Sequence, residues 1–154
     1  MRIRNSAKAI IIQDSKILLT KNKDEEGFFY LFPGGGQEHG EVLPATVKRE
    51  CIEEIGENVE VKQLLHIREY IGKNHEHAQF DGHVHQIEYY FVCHIINRQD
   101  VPSVPSNPDS HQIGIEWLPI NNLVDYRIYP KGIRECIQEF KGNKRNAVYL
   151  GDIN

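Results

Sequence analysis

At 154 residues the chain suits a single domain spanning 1–154, large enough to bury roughly two thirds of the surface its unfolded form exposes; 40% hydrophobic and 26% charged residues are ordinary for a soluble globular protein. The formal charge of −4, with Lys and Arg scattered and no basic run, argues against nucleic acid or an anionic membrane as the main partner, since both favour a basic face. Cys51, Cys93 and Cys136 are too widely spaced for a disulfide framework or a CxxC metal site and read as reduced core thiols, and no apolar run is long enough to span a bilayer, so the expected location is cytoplasmic.

Ser6 to Ile12 and Lys16 to Thr20 read as two strands around a turn at Gln13-Asp14-Ser15. Phe28 to Phe32 is an aromatic strand that runs into Pro33-Gly34-Gly35-Gly36. Val42 to Ile55 carries helical periodicity, with Gly56 placed to stop the helix. Asn58 to Ile71 reads as a long strand, Gly72 to Gly82 as a polar stretch, and His85 to Ile96 as the next long strand. Asn97 to Ser110 is expected to be a loop and Ile113 to Leu118 a strand. Tyr129 to Phe140 is expected to form a closing helix with Ile133, Cys136, Ile137 and Phe140 on one face, and Ala147 to Leu150 an edge strand. Strands outnumber helices without regular βαβ alternation, which favours a mixed-sheet α/β/α sandwich over a doubly wound parallel sheet.

The chemistry is concentrated between Phe32 and Gly56. Three consecutive glycines let backbone approach a ligand closely, although on their own they fit a flexible turn equally well. In the helix that follows, Val47, Cys51 and Ile55 form an i, i+4, i+8 core stripe. The neighbouring face carries Glu50, Glu53, Glu54 and Glu57. Like charges one turn apart repel, and anions at a helix C-terminus oppose the macrodipole. Local rules broken together mark a place where function is expected. A hard divalent cation reverses the sign of that repulsion, because Mg²⁺ takes one or two carboxylates together with water and phosphate oxygens. Arg49, at i,i+4 from Glu53, is placed to orient that carboxylate.

This stretch resembles the Nudix box. Gly35 is followed after five residues by Glu41, and after seven more by Arg49-Glu50-Cys51-Ile52-Glu53-Glu54-Ile55-Gly56. Two apolar positions depart from the pattern: Cys51 is small but acceptable in a core, and Glu57 replaces the final aliphatic residue. The resemblance implies a Nudix fold and a Mg²⁺- or Mn²⁺-dependent hydrolase that cleaves the diphosphate of a small-molecule nucleotide substrate. It implies Glu50, Glu54, Glu53 and the Gly35 carbonyl as metal ligands, with Glu41 and Arg49 fixing those ligands. Glu53, Glu50 and Arg49 are the catalytic candidates it points to. The general base is left open between Glu50 or Glu53 and a residue of the Pro105–Gln112 loop or the strand after it, where Asp109, His111 and Glu116 are the candidates.

The opening SAKAIII and KILLTKN segments look similar to ADP-ribose pyrophosphatase-like members, making ADP-ribose or a related nucleotide sugar the leading substrate. A nucleoside triphosphate, or a sensor that binds a nucleotide without turnover, stands as the alternative. Tyr30, Phe32, His85, Tyr89 and His111 are the candidate substrate contacts, from aromatic faces able to stack a base and from the histidines nearby. Alternation along the HVHQIEYYF run puts His83, His85, Ile87, Tyr89 and Phe91 on one strand face and Glu88, Tyr90 and Val92 on the other. His75, His77, His83 and His85 make two His-x-His pairs without a thiolate nearby, and a solvated substrate-side loop suits them better than a zinc site. Many relatives are homodimers, so the resemblance allows one here, though no exposed apolar stripe argues for it.

Overall fold

The computed structural model describes residues 2–96, 104–141 and 147–154. The chain opens with a hairpin of β1 (Arg4–Gln13) and β2 (Lys16–Asp24). Asp14 and Ser15 both adopt positive φ at its tip, the geometry that matches the twist of two paired strands. Next come β3 (Gly27–Leu31), β4 (Gly34–Gly36) and α1 (Leu43–Ile55), then the long β5 (Val59–Ile71). A 3₁₀ turn at Gly72–Asn74 and the short α2 (Ala78–Asp81) lead into β6 (His85–Ile95) and β7 (Gln112–Pro119). A 3₁₀ segment at Ile120–Asp125, β8 (Ile128–Tyr129), α3 (Ile133–Lys141) and β9 (Tyr149–Asp152) complete it.

The strands form one mixed sheet in the order β8-β3-β2-β1-β6-β5-β9, with β4 added to β1 and β7 to β2. β1 runs parallel to β6, β5 antiparallel to β6, and β9 parallel to β5. The pleat of β1 assigns its residues to two cores. Ala7, Ala9 and Ile11 meet Val47, Cys51 and Ile55 of α1, while Ile10 faces Ile133 and Ile137 of α3 on the other side. Helices therefore cover opposite faces of the sheet, as the α/β/α expectation requires. Cys51 and Cys93 are buried, and none of the three cysteines forms a disulfide. Among the described residues no helix is long and apolar enough to cross a membrane.

Several boundaries differ from the sequence reading. The glycine run is a paired strand, because β1 offers it a free edge. The closing helix starts at Ile133 and not at Tyr129: Tyr129 precedes Pro130, whose ring pushes the preceding residue into extended backbone, and it joins Ile128 in pairing with β3. The last strand falls at Tyr149–Asp152, slightly later than Ala147–Leu150. The first half of the Asn97–Ser110 loop lies outside the described residues.

Because the site below hangs on α1, the stripe that anchors this helix sets its position. Ile55 is fully buried, and Ile55→Ala should cost about 2–5 kcal/mol. At roughly 2–4 °C per kcal/mol for a chain of this size, thermal unfolding followed by circular dichroism should show a clear fall in Tm. An unchanged Tm would mean that the stripe does not anchor the helix.

Candidate active site

β4 brings its backbone against the carboxylates of α1. Gly34 sits at φ +137°, and a Cβ there would lie 2.1 Å from the Ala7 carbonyl oxygen, so no other residue fits without displacing β1. Its N–H donates to Glu54 Oε2 at 2.7 Å. A Cβ on Gly35 would lie 2.5 Å from Glu50 Oε1, so the missing side chain is what lets that carboxylate reach the strand. On the outer side, Ser6 Oγ donates to the Gly35 carbonyl at 2.9 Å and Lys8 Nζ to the Gly34 carbonyl at 2.6 Å.

Arg49 ties the rest together. Its Nε donates to Glu41 Oε1 at 2.8 Å, Nη2 to Glu41 Oε2 at 3.1 Å and to the Gly36 carbonyl at 3.0 Å, and Nη1 to Glu50 Oε1 at 2.8 Å. The i,i+4 contact with Glu53 that the helix spacing suggests is longer, 3.5 Å to each oxygen. Glu41 also accepts from Thr46 Oγ1 at 2.9 Å and from the Glu38 N–H at 3.0 Å. Arg49 first, then these donors, hold its carboxyl down at about 2.

Glu54 is 6% exposed. Burial pushes its pKa up to about 7; Lys8 and the Gly34 N–H oppose the rise, and Asp109 and Glu50 add to it. The loop before β7 is laid over this end of α1: the Asn107 N–H donates to the Glu53 carbonyl at 2.9 Å and Gln112 Nε2 to the Glu54 carbonyl at 2.6 Å. Among the described residues no three carboxylate, imidazole or thiol groups converge closely enough to cage a metal unaided. Mg²⁺ does not require such a cage, since water and phosphate oxygens complete its shell. The crowded, partly buried carboxylates of Glu50 and Glu54 beside the Gly35 carbonyl fit that sparse, hard donor set.

On the sheet face that carries Glu88 lies a cleft of about 600 Å³, joined to the acidic site by the loop before β7, whose His111 lines the cleft and whose Gln112 bonds the Glu54 carbonyl. Phe29, Tyr129, Phe80 and His77 contribute rings to it, and Arg68 and Glu88 line it more deeply. Its charged side chains are already partnered. Arg68 Nε donates to Glu88 Oε2 at 2.6 Å, Arg127 donates to both Asp24 oxygens at 2.8 Å, and the Tyr70 hydroxyl donates to Asp81 Oδ2 at 3.0 Å. Glu88 also accepts from Gln86 Nε2 at 2.6 Å and from the Tyr90 hydroxyl.

Of the candidates named from sequence, Glu41, Arg49, Glu50, Glu53, Glu54 and Gly35 come together, and His111 lines the cleft. Tyr30 and Phe32 do not face it. Both are buried in the core, where Phe32 meets Tyr90 edge-on at 5.3 Å and the Tyr30 hydroxyl donates to Glu116 at 3.1 Å. His85 and Tyr89 point away as well. The β6 residues that line the cleft are Gln86 and Glu88, and the pleat sends the odd-numbered neighbours to the α1 side, where Tyr89 packs. Asp109 is close enough to influence Glu54, whereas Glu116 is engaged by Lys21 at 2.9 Å. The sequence reading passed over Lys8, Arg68, Arg127 and Tyr129. One signal was available for Arg68: a charge inside a long strand, as Glu88 is inside β6, and the structure sets the two in register.

The NUDIX domain family profile matches residues 2–140. A Xenopus laevis protein, nucleoside diphosphate-linked moiety X motif 6, is 32% identical over 90 residues, which cover 58% of this chain and 38% of that protein. A NUDIX hydrolase from Nitrosomonas europaea superposes with a TM-score of 0.73 at 19% identity, covering 96% of this chain and 94% of that one. An ADP-ribose pyrophosphatase from Streptococcus suis superposes with a TM-score of 0.64, also at 19% identity, covering 98% and 100% of the two chains.

Burial of Glu54 has a measurable consequence for stability. Its carboxyl rises from the ordinary 4.5 to about 7 on folding. Between these values the folded state holds a proton that the unfolded state has released. Stability contributed here is therefore lost as pH rises from about 4.5 to about 7, a change of about 3 kcal/mol. In chelator, Glu54→Gln should raise the unfolding midpoint at pH 8 and leave it near wild type at pH 4.5. Equal midpoints at pH 8 would show that the buried carboxylate carries no such penalty.

Proposed function

The chain belongs to the NUDIX domain family, and on that premise we propose that it is a Mg²⁺-dependent (or Mn²⁺-dependent) pyrophosphohydrolase acting on ADP-ribose or a related nucleotide sugar. The observation that carries this reading is the pair of crowded carboxylates, Glu50 and Glu54, pressed against the glycine backbone of β4. Glu50, Glu54 and the Gly35 carbonyl hold the cation in this proposal, with Glu53 reaching it through water, and Arg49 with Glu41 fixes their geometry. When bound, the ion lowers the pKa of an attacking water and neutralises charge on the diphosphate.

Glu53 is the best placed base. Its carboxylate is the more weakly tied, meeting Arg49 only at 3.5 Å, and at 29% it is more exposed than that of Glu50 at 13%. It takes the proton as a water oxygen bonds to one phosphorus. The bond from that phosphorus to the bridging oxygen breaks, and ADP-ribose plus water gives AMP plus ribose 5-phosphate. The adjacent cleft supports a nucleotide substrate, because its rings offer flat apolar faces and its partnered charges offer no extra phosphate site. The fold likeness to an ADP-ribose pyrophosphatase is in keeping with this choice.

The test is a panel with Mg²⁺, products separated by chromatography: ADP-ribose, nucleotide sugars, dinucleoside polyphosphates and nucleoside triphosphates. AMP from ADP-ribose is the expected product, with turnover in Glu54→Gln and Glu53→Gln reduced at least about 100-fold. Glu54→Gln should be the more stable protein in chelator, so its loss of turnover will not be loss of fold. Nucleotide binding with silence across the panel would overturn the hydrolase reading in favour of a sensor.

A further inference from the structure

His77, Phe80 and Asp81 of the 72–82 segment form one wall of the cleft, and that segment is pinned from a distant part of the chain. Asp152, at the end of β9, accepts three hydrogen bonds from the last residue of β5 and the segment after it: from the Ile71 N–H at 2.9 Å, Asn74 Nδ2 at 2.7 Å and His75 Nε2 at 2.6 Å. The His75 ring is stacked on Tyr70, 5.2 Å between centroids and 13° from parallel. Next to Asp152, the Ile153 carbonyl accepts from Arg68 Nη1 at 2.6 Å. Beyond His75, Lys131 Nζ holds Glu76 at 2.8 Å. The His77 ring meets Tyr129 edge-on at 5.9 Å. One turn further, Phe80 stands 74% exposed at the cleft rim.

We propose that Asp152 is a positioning residue for substrate binding, holding the 72–82 segment so that His77 and Phe80 close the far end of the cleft on a flat, uncharged group, the nucleobase. The inference rests on the proposed nucleotide-cleaving function of the neighbouring acidic site. Three features of the wall support it. Asp152 binds donors on both sides of the 3₁₀ turn at Gly72–Asn74, so the carboxylate fixes the path of the turn and not one side chain. The charged groups lining the cleft are mutually satisfied, as described above, and a phosphate at the far end would find no free cation among them. The rings there suit stacking and edge contacts with a base. This also gives the first His-x-His pair a use without a metal: His75 is the anchored residue and His77 the one facing the ligand.

Titration calorimetry with two probes, AMP and ribose 5-phosphate, separates a wall that grips the base from a general role in the fold. Wild type should bind AMP at least about tenfold more tightly than ribose 5-phosphate. Asp152→Ala should remove most of that preference, with ribose 5-phosphate affinity unchanged. Phe80→Ala, at a solvent-exposed position, should do the same. For ADP-ribose hydrolysis, Asp152→Ala should raise KM about tenfold and leave kcat within twofold. Should Asp152→Ala fail to fold, His75→Ala cuts the same tether from the other end and carries the same expectation. A folded Asp152→Ala that keeps the AMP preference overturns the proposal, and so does an equal loss of both ligands. If wild type hydrolyses no ADP-ribose, the proposed substrate falls, while the AMP preference still decides the role of Asp152.

Discussion

Most of this structure follows from one unfavourable arrangement: carboxylates held together on the last two turns of α1, one of them buried. Left to local forces, Glu50 and Glu54 would separate, and Glu54 would seek water. The Val47, Cys51 and Ile55 stripe prevents the helix from turning them outward, because each of these side chains is fully enclosed. The stripe's burial outweighs the repulsion, which on an open helix amounts to only a few tenths of a kcal/mol. The glycines of β4 then remove the remaining steric obstacle, and Arg49 supplies a counter-charge to Glu41 and Glu50 at once. Core packing thus sustains an electrostatic cost that a cation can reverse.

β1 connects this acidic site to the cleft. Its even-numbered side chains Ser6 and Lys8 reach the carbonyls of Gly35 and Gly34, and they share a sheet face with Glu88 and Tyr90 of β6, their register partners. The Lys8 charge is felt both by Glu54 and by Glu88. One ammonium therefore lies between the buried carboxylate of the acidic site and the buried ion pair that lines the cleft. Such an ion pair in a dry setting is a poor source of net stability. Its better-supported contribution is a fixed Arg68, whose second arm bonds the Ile153 carbonyl and joins the sheet to the tail.

How much of this was legible in the sequence depended on whether the signal was local. The helix stripe, the glutamate face and the Arg49-to-Gly56 run sit in consecutive residues, and periodicity alone places them. Pairing of the glycine run was not legible, because it depends on the free edge of β1, some thirty residues earlier in the chain. Tyr30 and Phe32 illustrate the same limit from the other side. An aromatic strand leading into the site has two faces, and alternation does not say which one meets the core. In β3 the answer was Tyr30 inward and Phe29 toward the cleft. Likewise, β6 was correctly divided into two faces, yet only tertiary structure showed that Gln86 and Glu88, and not His85 and Tyr89, look into the cleft. Asp152 had no local signal at all, since its three partners lie about eighty residues away in sequence.

The two halves of the site also differ in how they are held. The acidic half is built on a helix and a strand whose side chains are locked by the core and by the Arg49 fork. The cleft half draws its far wall from a 3₁₀ turn, a four-residue helix and the end of an edge strand. Rigid elements carry chemistry that tolerates little displacement, and loops carry recognition that varies with the ligand. A substitution in the 72–82 wall shares no direct partner with Glu50, Glu53 or Glu54, so its effect should add to theirs and not couple with them. Two elements reach both halves: β1, through Lys8, and the loop before β7, whose His111 lines the cleft while its Gln112 bonds the Glu54 carbonyl. Coupling between substrate recognition and the acidic site therefore has two routes, that ammonium and this loop, which makes Lys8 and Gln112 the positions at which the two functions meet.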